Sequence, residues 1–412
     1  MASTPAEAQP ILSRDEIIDS KNRLCGYRFA LSDGGGKTPV PEADFLAALI
    51  AARIPEFAER RLAMIPLTLD AVVFKRHLPL LAPNTVFLID RQQANQPVQQ
   101  LAGRLLALKE SGCKVALRNI STEQDELALL EACDIAVLHL GDATLAQFQA
   151  LTRQLRALFP AMALAADGVE TWDEQRMCLA LGCQYCLGEF LGKTDVEQPD
   201  NKIDQGRLTA LEMLNLLRGE AELGELTEVA KQDPGITFQV LKWANSPATG
   251  QSSTVTSLSQ AIIVLGRTHL YRWLTVSMFR LGNNRERDEA LLEVALTRAR
   301  FLETVTSATL SVEQRDEVFL VGLLSLFDVL LDMSMPRILA KMHLSMDVQD
   351  VLLRSVGPYG QYLMLALLVE RGMAARAAEI AAALGIAPDA LGPTSTAAFQ
   401  WAQESLRYTL AE

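Results

Sequence analysis

The stretch NTVFLIDRQQANQPVQQLAGRLLALKESGCKVALRNI, residues 84–120, holds two short apolar runs on either side of an amphipathic segment. NTVFLID (84–90) and KVALRNI (114–120) have the length and composition of buried strands. Between them, PVQQLAGRLLALKESG (97–112) repeats apolar residues at i, i+3, i+4 and i+7, which is the spacing of a helix. The stretch therefore predicts a strand–helix–strand unit with parallel strands.

The same alternation runs through the first half of the chain. Further apolar runs with the character of strands are LCGYRFAL (24–31), LAMIPLTL (62–69), DIAVLHL (134–140), MALAAD (162–167) and CQYCLGEFL (183–191). So many units predict a modified TIM-type (β/α) barrel, in which functional groups stand at the C-terminal ends of the strands.

The pattern changes after GKTDVEQPDNKIDQG (192–206), a polar segment with a proline that is typical of a linker. Beyond it nearly every segment has helical periodicity. We therefore predict an α/β plus all-α protein, in which the barrel is followed by an all-helical bundle. The predicted parts are a disordered tail at 1–10, a barrel domain at 11–193, a linker at 194–206 and a helical domain at 207–400.

The composition excludes several classes of protein. A hydrophobic content of 49% and a charged content of 21% are typical of a soluble globular chain of 412 residues. The net charge of −12 argues against a nucleic-acid partner, which would require a basic patch. We find no signal peptide, and the longest nearly apolar run (318–331) is too short to span a bilayer. We expect a cytoplasmic protein with no membrane partner and with reduced cysteines.

Cys183 and Cys186 form a CxxC in LGCQYCLG. A zinc site needs two more soft ligands, and the sequence has neither a second CxxC nor an HxxxH. We predict no metal and no cofactor.

Several segments resemble bacterial proteins that join an EAL domain to an HDOD domain. ILSRDEIIDSKNRLCGYRFAL (11–31) and ALAADGVETWDEQRMCLALGCQYCLGEF (163–190) resemble two parts of the EAL domain. LTEVAKQDPGITFQVLKWANSP (226–247), followed by SLSQAIIVLG (257–266), resembles the HDOD signature. The order and spacing of these segments carry the resemblance over roughly residues 11–385.

In active members, the EAL domain is a modified TIM barrel that hydrolyses cyclic di-GMP with metal ions held by carboxylates and an asparagine. The resemblance implies that the corresponding positions in this chain have lost those groups and hold Arg28, Pro66, Leu88, Arg118, Asn119, Val137, His139 and Leu187. The retained residues are Asp167, Gly168, Val169, Glu170 and Gly188. Arginine is a permanent cation without an acceptor, so the resemblance implies a degenerate barrel with no catalytic or metal site.

Arg28 and Arg118 should both lie at the barrel mouth. They could bind an anion there, together with Asp167 and Glu170, or they could pair with these acids or with Asp90 in an inactive site. Glu170 could instead serve the N-terminus of the following helix.

HDOD domains resemble HD-type phosphohydrolases but lack the His-Asp metal dyad of those enzymes. Each of the four histidines in the chain is followed by leucine. The segment GLLSL puts Ser325 and Leu326 at the position of the dyad, where a packing role is favoured.

The resemblance and the loss of the catalytic groups that it implies lead us to expect a non-catalytic bacterial signal-transduction protein that acts through protein–protein interactions. One alternative is a sensor that binds cyclic di-GMP or another nucleotide through Arg28 and Arg118 without hydrolysing it. A second alternative is an active phosphodiesterase that depends on Asp167 or Glu170.

Overall fold

The computed structural model of the chain describes residues 10–32, 41–94, 96–195, 205–219, 221–246, 249, 254–281 and 285–410. Nearly all of the predicted tail at 1–10 and most of the predicted linker at 194–206 lie outside these residues. Within the described ranges, no helix has the length and apolarity needed to cross a membrane. The chain divides into two compact units, the first formed by Met1–Lys193 with Leu365–Trp401 and the second by Thr194–Met364 with Ala402–Glu412.

The first unit contains a closed barrel whose strands follow one another around the ring in chain order. The strands are β1 Ile11–Asp19, β2 Leu24–Ser32, β3 Leu62–Pro66, β4 Thr85–Asp90, β5 Lys114–Arg118, β6 Ile135–His139, β7 Ala163–Asp167 and β8 Tyr185–Leu187. From β2 to β8 all neighbouring strands are parallel, whereas β1 pairs antiparallel with both β2 and β8. The predicted modified TIM-type barrel is confirmed.

Strand β1 is the one strand of the barrel that the sequence did not predict. Its buried isoleucines, Ile11, Ile17 and Ile18, are separated by the polar run SRDE (13–16). Neither an apolar run nor an alternating pattern is therefore visible. Ile17 nevertheless faces the barrel interior, and β1 closes the ring between β2 and β8.

The barrel interior is filled by apolar side chains from all eight strands. This core comprises Ile17, Leu62, Met64, Val86, Leu88, Ala116, Ile135, Val137, Ala165 and Leu187, with Cys25 packed against it. An eight-stranded barrel is just wide enough for its own side chains, so the interior is a packed core and not a pore.

Short helices connect the strands. They are α1 Glu42–Ala51, α2 Ile54–Phe57, α3 Leu69–Val73, α4 Val98–Glu110, α5 Leu127–Glu131, α6 Leu145–Leu158 and α7 Trp172–Ala180. Three more helices, wholly or in part, lie in Leu365–Trp401, namely α17 Gly360–Glu370, α18 Ala374–Ala383 and α19 Leu391–Leu410.

Residues 365–401 group with the barrel, whereas the sequence predicts one helical domain over 207–400. The ring of Phe399 lies 5.4 Å from that of Tyr27 and 5.9 Å from that of Phe57, centroid to centroid. Arg14 stacks on the same phenyl ring at 4.5 Å. A helical pattern in sequence reveals an apolar face, but it does not say which surface will cover that face.

The second unit is helical in its described part, as predicted. Its helices are α8 Gln205–Arg218, α9 Leu223–Lys231, α10 Pro234–Ala244, α11 Leu258–Ser277, α12 Arg285–Val305, α13 Val312–Leu324, α14 Phe327–Leu331, α15 Met335–Leu339 and α16 Met346–Arg354. A buried ion pair, Arg207 Nη2 to Asp288 Oδ2 at 2.6 Å, ties α8 to α12. Arg207 also donates to the carbonyls of Met278 and Leu330.

Helices α12 and α13 approach each other closely at Gly322. A Cβ atom at this position would lie 2.5 Å from Cα of Ala299. We expect Gly322→Ala to lower the free energy of unfolding by about 1–3 kcal/mol, because a well-packed helix pair tolerates added volume poorly. Urea unfolding measures the change. Gly224→Ala in α9 is the control, since its Cβ would meet nothing within 4 Å; an equal loss in both variants would contradict the close crossing.

The carboxyl of Glu16 in β1 titrates in an unusual range. Burial raises its pKa to about 7, although the backbone and Arg14 act in the opposite direction. The folded chain therefore holds this proton more tightly than the unfolded chain, and the associated stability is lost as the pH rises from about 4.5 through 7. We expect Glu16→Gln to flatten the pH dependence of the unfolding midpoint between these values. The exposed Glu56→Gln serves as control, and an unchanged slope for Glu16→Gln would refute the expectation.

Candidate functional site

The C-terminal ends of the barrel strands surround a cleft of about 640 Å³. Most of the predicted site positions meet here, namely Arg28, Pro66, Arg118, Asn119, Val137, His139 and Asp167. Asp15, Gln92 and Asp142 also line the cleft and were not predicted. Leu88 contributes to a neighbouring cleft of about 440 Å³, which shares Pro66 and Arg118. Glu170 does not line either cleft.

Arg28 lies between two aspartates from different strands. Its Nη1 donates to Asp167 Oδ2 at 2.5 Å, and its Nη2 and Nε donate to Asp15 Oδ2 at 2.8 and 3.0 Å. Burial lowers the pKa of Arg28, but Asp167 and Asp15 raise it by more, so its net pKa is above the usual value. Asp15 faces Arg28 directly in the β1–β2 register, so it would have been found had β1 been predicted.

Arg118 and Asn119 share a second aspartate, Asp90. Arg118 Nη2 lies 2.8 Å from Asp90 Oδ2, and Asn119 Nδ2 donates to Asp90 Oδ1 at 2.8 Å. Asn119 has φ of 56°, a left-handed conformation that asparagine tolerates better than most residues. The chain therefore turns sharply after β5, and both side chains face the end of β4. Burial raises the pKa of Asp90, but Asn119 and Arg118 lower it by more, leaving it below its ordinary value.

His139 lies beside the Arg28–Asp167 pair. Its Nδ1 is 3.6 Å from Asp167 Oδ2, and the side chain is about half-exposed. Gly168 makes room for the imidazole, because a Cβ there would lie 2.4 Å from Cε1 of His139. Gly168 also has φ of 74°, a conformation that favours glycine. Asp167 and His139 are thus brought together, and a retained glycine permits the contact.

Glu170 points away from this arrangement. Its side chain is 73% exposed, and its nearest charged partner is Lys193 at 3.9 Å. The carboxylate that serves the N-terminus of α7 belongs to Glu174, which accepts hydrogen bonds from the backbone N–H groups of Glu170 and Thr171. The carboxylate at the N-terminus of α7 is therefore that of Glu174 and not that of Glu170, which the sequence offered for this role.

The residues at the implied metal positions do not fit a metal ion. Leu88, Val137 and Leu187 are at most 2% exposed and belong to the barrel core. Arg28 and Arg118 place permanent positive charges beside the remaining carboxylates. In the described ranges, no group of three or more His, Cys, Asp or Glu residues is arranged to hold a metal ion.

Ser325 and Leu326 stand where the resemblance places the HD dyad, and the hydroxyl of Ser325 is hydrogen-bonded to an arginine. Ser325 Oγ accepts a hydrogen bond from Arg298 Nη1 at 2.6 Å and donates to the carbonyl of Gly322 at 2.7 Å. Leu326 is buried. Ser325 caps α13, and the adjacent guanidinium would repel a metal ion.

The CxxC cysteines are buried thiols next to Cys178. The backbone N–H of Cys183 donates to the carbonyl of Cys178 at 3.0 Å. Contact with Cys178 and burial raise the pKa values of Cys183 and Cys186, which makes both thiols poor nucleophiles.

Comparison with known proteins matches residues 209–354 to the HDOD domain family. This range lies within the second unit. The cyclic di-GMP phosphodiesterase CdgJ of Vibrio cholerae is 23% identical over 368 residues, covering 86% of this chain and 83% of that protein. The uncharacterized protein YuxH of Bacillus subtilis is 28% identical over 210 residues, covering half of each chain.

Among solved structures, the chain is similar to the Bacillus subtilis YkuI protein, which has an EAL domain and is in complex with c-di-GMP and calcium. The identity is 14%, the TM-score is 0.37, and the match covers 62% of this chain and 73% of that one. Klebsiella pneumoniae BlrP1 gives 17% identity and a TM-score of 0.36, with 46% and 56% covered. Both TM-scores are low, so these likenesses support no inference about ligands or chemistry.

The lowered pKa of Asp90 predicts a pH-dependent contribution to stability. This contribution is present above the unfolded pKa near 3.8 and is lost as the pH falls through the lower folded value. We expect Asp90→Asn to reduce the free energy of unfolding at pH 7 by about 1–2 kcal/mol, because Arg118 and Asn119 lose a charged partner. The difference should be smaller at pH 3, because the contribution begins to be lost below the unfolded pKa near 3.8. Urea unfolding at both pH values tests this, with the exposed Asp173→Asn as control; a difference that is equally large at low pH would count against it.

Proposed function

We propose that this EAL–HDOD protein acts in cyclic di-GMP-related signalling without hydrolysing a nucleotide, and that it works through contacts with other proteins. The observation that carries the proposal is the burial of Leu88, Val137 and Leu187 in the barrel core, at positions where the family resemblance implies metal-binding or substrate-binding groups. Leucine and valine offer no donor atom to a metal ion or to a phosphate.

The charges at the barrel mouth also support the proposal that the chain does not hydrolyse a nucleotide. A two-metal phosphodiesterase needs several carboxylates that converge on the cations without competition from fixed positive charge. Here Asp15 and Asp167 are both bound by Arg28, and Asp90 is bound by Arg118. A metal ion would have to displace these guanidinium groups before it could use the aspartates.

A phosphodiesterase activity is the main competing function. The name of the Vibrio cholerae relative favours it, since that protein is called a cyclic di-GMP phosphodiesterase and the match extends over most of both chains. At 23% identity, however, the functional residues can differ. Asp142 and Asp167 line the cleft, but Asp167 could serve such a site only after Arg28 releases it.

A nucleotide sensor is the other competing function. The cleft of about 640 Å³ is within the range of about 300–1,000 Å³ that small-molecule sites occupy. Its charge is less favourable, because Arg28 and Arg118 are outnumbered by the aspartates around them and are already paired. An anionic ligand would have to compete with those ion pairs.

Exposed apolar side chains support a role in protein contacts. Val73, Phe74 and Leu78 follow one another closely in the segment between β3 and β4, and they are 46%, 65% and 47% exposed. Neighbouring apolar side chains at a surface are typical of a protein-interaction site when they form a continuous patch.

Calorimetric titration with cyclic di-GMP, with and without Mg²⁺ or Mn²⁺, tests the proposal when the samples are also assayed for hydrolysis products. We expect no hydrolysis under any of these conditions, because the groups that would hold the metals are absent. The Vibrio cholerae relative, purified in the same way, is the positive control for the assay.

The alternatives give different results in this experiment. Binding without turnover would favour the sensor, and Arg28→Met and Arg118→Met should then weaken it. Metal-dependent hydrolysis that disappears in Asp167→Ala or Glu170→Ala would refute the non-catalytic proposal.

A further inference from the structure

A separate cleft lies within the helical unit, between α10, α11 and α12. Its volume is about 230 Å³. Trp243 of α10 and Trp273 of α11 line one part of it, stacked with their ring centroids 5.4 Å apart and their planes 24° from parallel. Trp243 is 7% exposed, whereas Trp273 retains more accessible surface.

Two polar side chains of the cleft, the Glu289 carboxylate and the Gln239 amide, make no hydrogen bond or ion pair within the part of the chain that the structure describes. Glu289 lies on α12 and Gln239 on α10, so these groups come from different helices. Arg280 adds a positive charge to the lining.

Stacked aromatic rings beside free acceptors are suited to a planar ligand that donates hydrogen bonds. The partly accessible indole of Trp273 can extend the stack by one heteroaromatic ring, and such stacking is largely independent of the substituents of that ring. The carboxylate of Glu289 accepts hydrogen bonds and donates none when ionised, so it selects a ring edge that carries N–H groups.

We propose that this cleft binds a guanine base, with the ring stacked on the Trp243–Trp273 pair and its N1–H and N2–H groups donating to the two oxygens of Glu289. Among the common bases, guanine alone has two adjacent donors on its Watson–Crick edge. Adenine, cytosine and uracil each place an acceptor there, which would face the carboxylate oxygens unfavourably.

The size of the cleft agrees with one base and no more. A volume of about 230 Å³ is below the range of about 300–1,000 Å³ typical of sites for larger ligands. The sugar and phosphates would therefore remain outside the pocket. The proposal does not depend on the barrel mouth, so it stands or falls independently of the function proposed above.

Titration of the full chain with 5′-GMP, 5′-IMP and 5′-AMP tests the base specificity, because the three share the same sugar and phosphate. We expect GMP to bind best, IMP more weakly because it lacks the N2 amino group, and AMP least. Glu289→Gln should weaken GMP about 5- to 150-fold, which is the effect of losing a two-point hydrogen bond to a base. Trp273→Ala should weaken it by a similar factor through lost stacking.

The control is Glu228→Gln, which removes an exposed carboxylate of the same unit and should leave GMP affinity unchanged. Circular dichroism of each variant establishes that the helical unit is folded. Parallel titrations with GTP and cyclic di-GMP identify which guanine nucleotide is the source of the base. Equal affinity for AMP and GMP, no saturable GMP binding, or an unaltered affinity in folded Glu289→Gln would each overturn the proposal.

Discussion

Closure of the barrel by an antiparallel first strand is the constraint on which the rest of the first unit depends. Strand β1 joins β2 to β8, and without it the sheet would have two open edges. Once the ring is closed, the space inside admits only the strands' own side chains, so apolar residues occupy it. The same closure gathers the strand ends at one mouth. There Asp15 of β1 meets Arg28 of β2, and Asp167 of β7 reaches Arg28 from across the ring. The electrostatics of the mouth therefore follow from the topology.

A structural feature could be predicted from the sequence when the residues that indicate it lie within one short segment. Strands β2–β8 were predictable because each is a short apolar run. Arg118 and Asp167 could be placed at the mouth because each ends its strand, whereas Arg28 lies inside β2 and was placed there through the family resemblance. Strand β1 and its Asp15 were missed because the charged run SRDE hides the strand. Glu170 was placed with the site, since sequence proximity to Asp167 cannot show that Gly168 redirects the backbone. The partners of Arg28 could not be predicted, because a prediction would need the register between β1 and β2, and no single segment contains it.

The retained and the replaced residues of the family pattern differ in kind. Gly168 and Gly188 both have positive φ, and a Cβ at Gly188 would lie 2.1 Å from the carbonyl oxygen of Val169. These glycines are required by the backbone at the ends of β7 and β8, whatever chemistry takes place there. The positions at which the family resemblance implies metal-binding or substrate-binding groups hold, in contrast, Arg28, Leu88 and Val137. One fold can serve several functions, so a backbone of this shape is compatible with the non-catalytic role proposed above.

Residues 365–401 belong to the barrel unit although they follow residues 194–364 of the helical unit in the chain, and this order affects folding during synthesis. Phe399 covers Tyr27, Phe29 and Phe57 with a set of ring contacts that the first 193 residues cannot supply by themselves. A ribosome synthesises Phe399 only after residues 194–364, which form most of the helical unit. The helical unit is thus available to fold while the aromatic surface of the barrel is still uncovered. Until Phe399 has been synthesised, this surface of the barrel lacks the ring that packs against it in the folded chain.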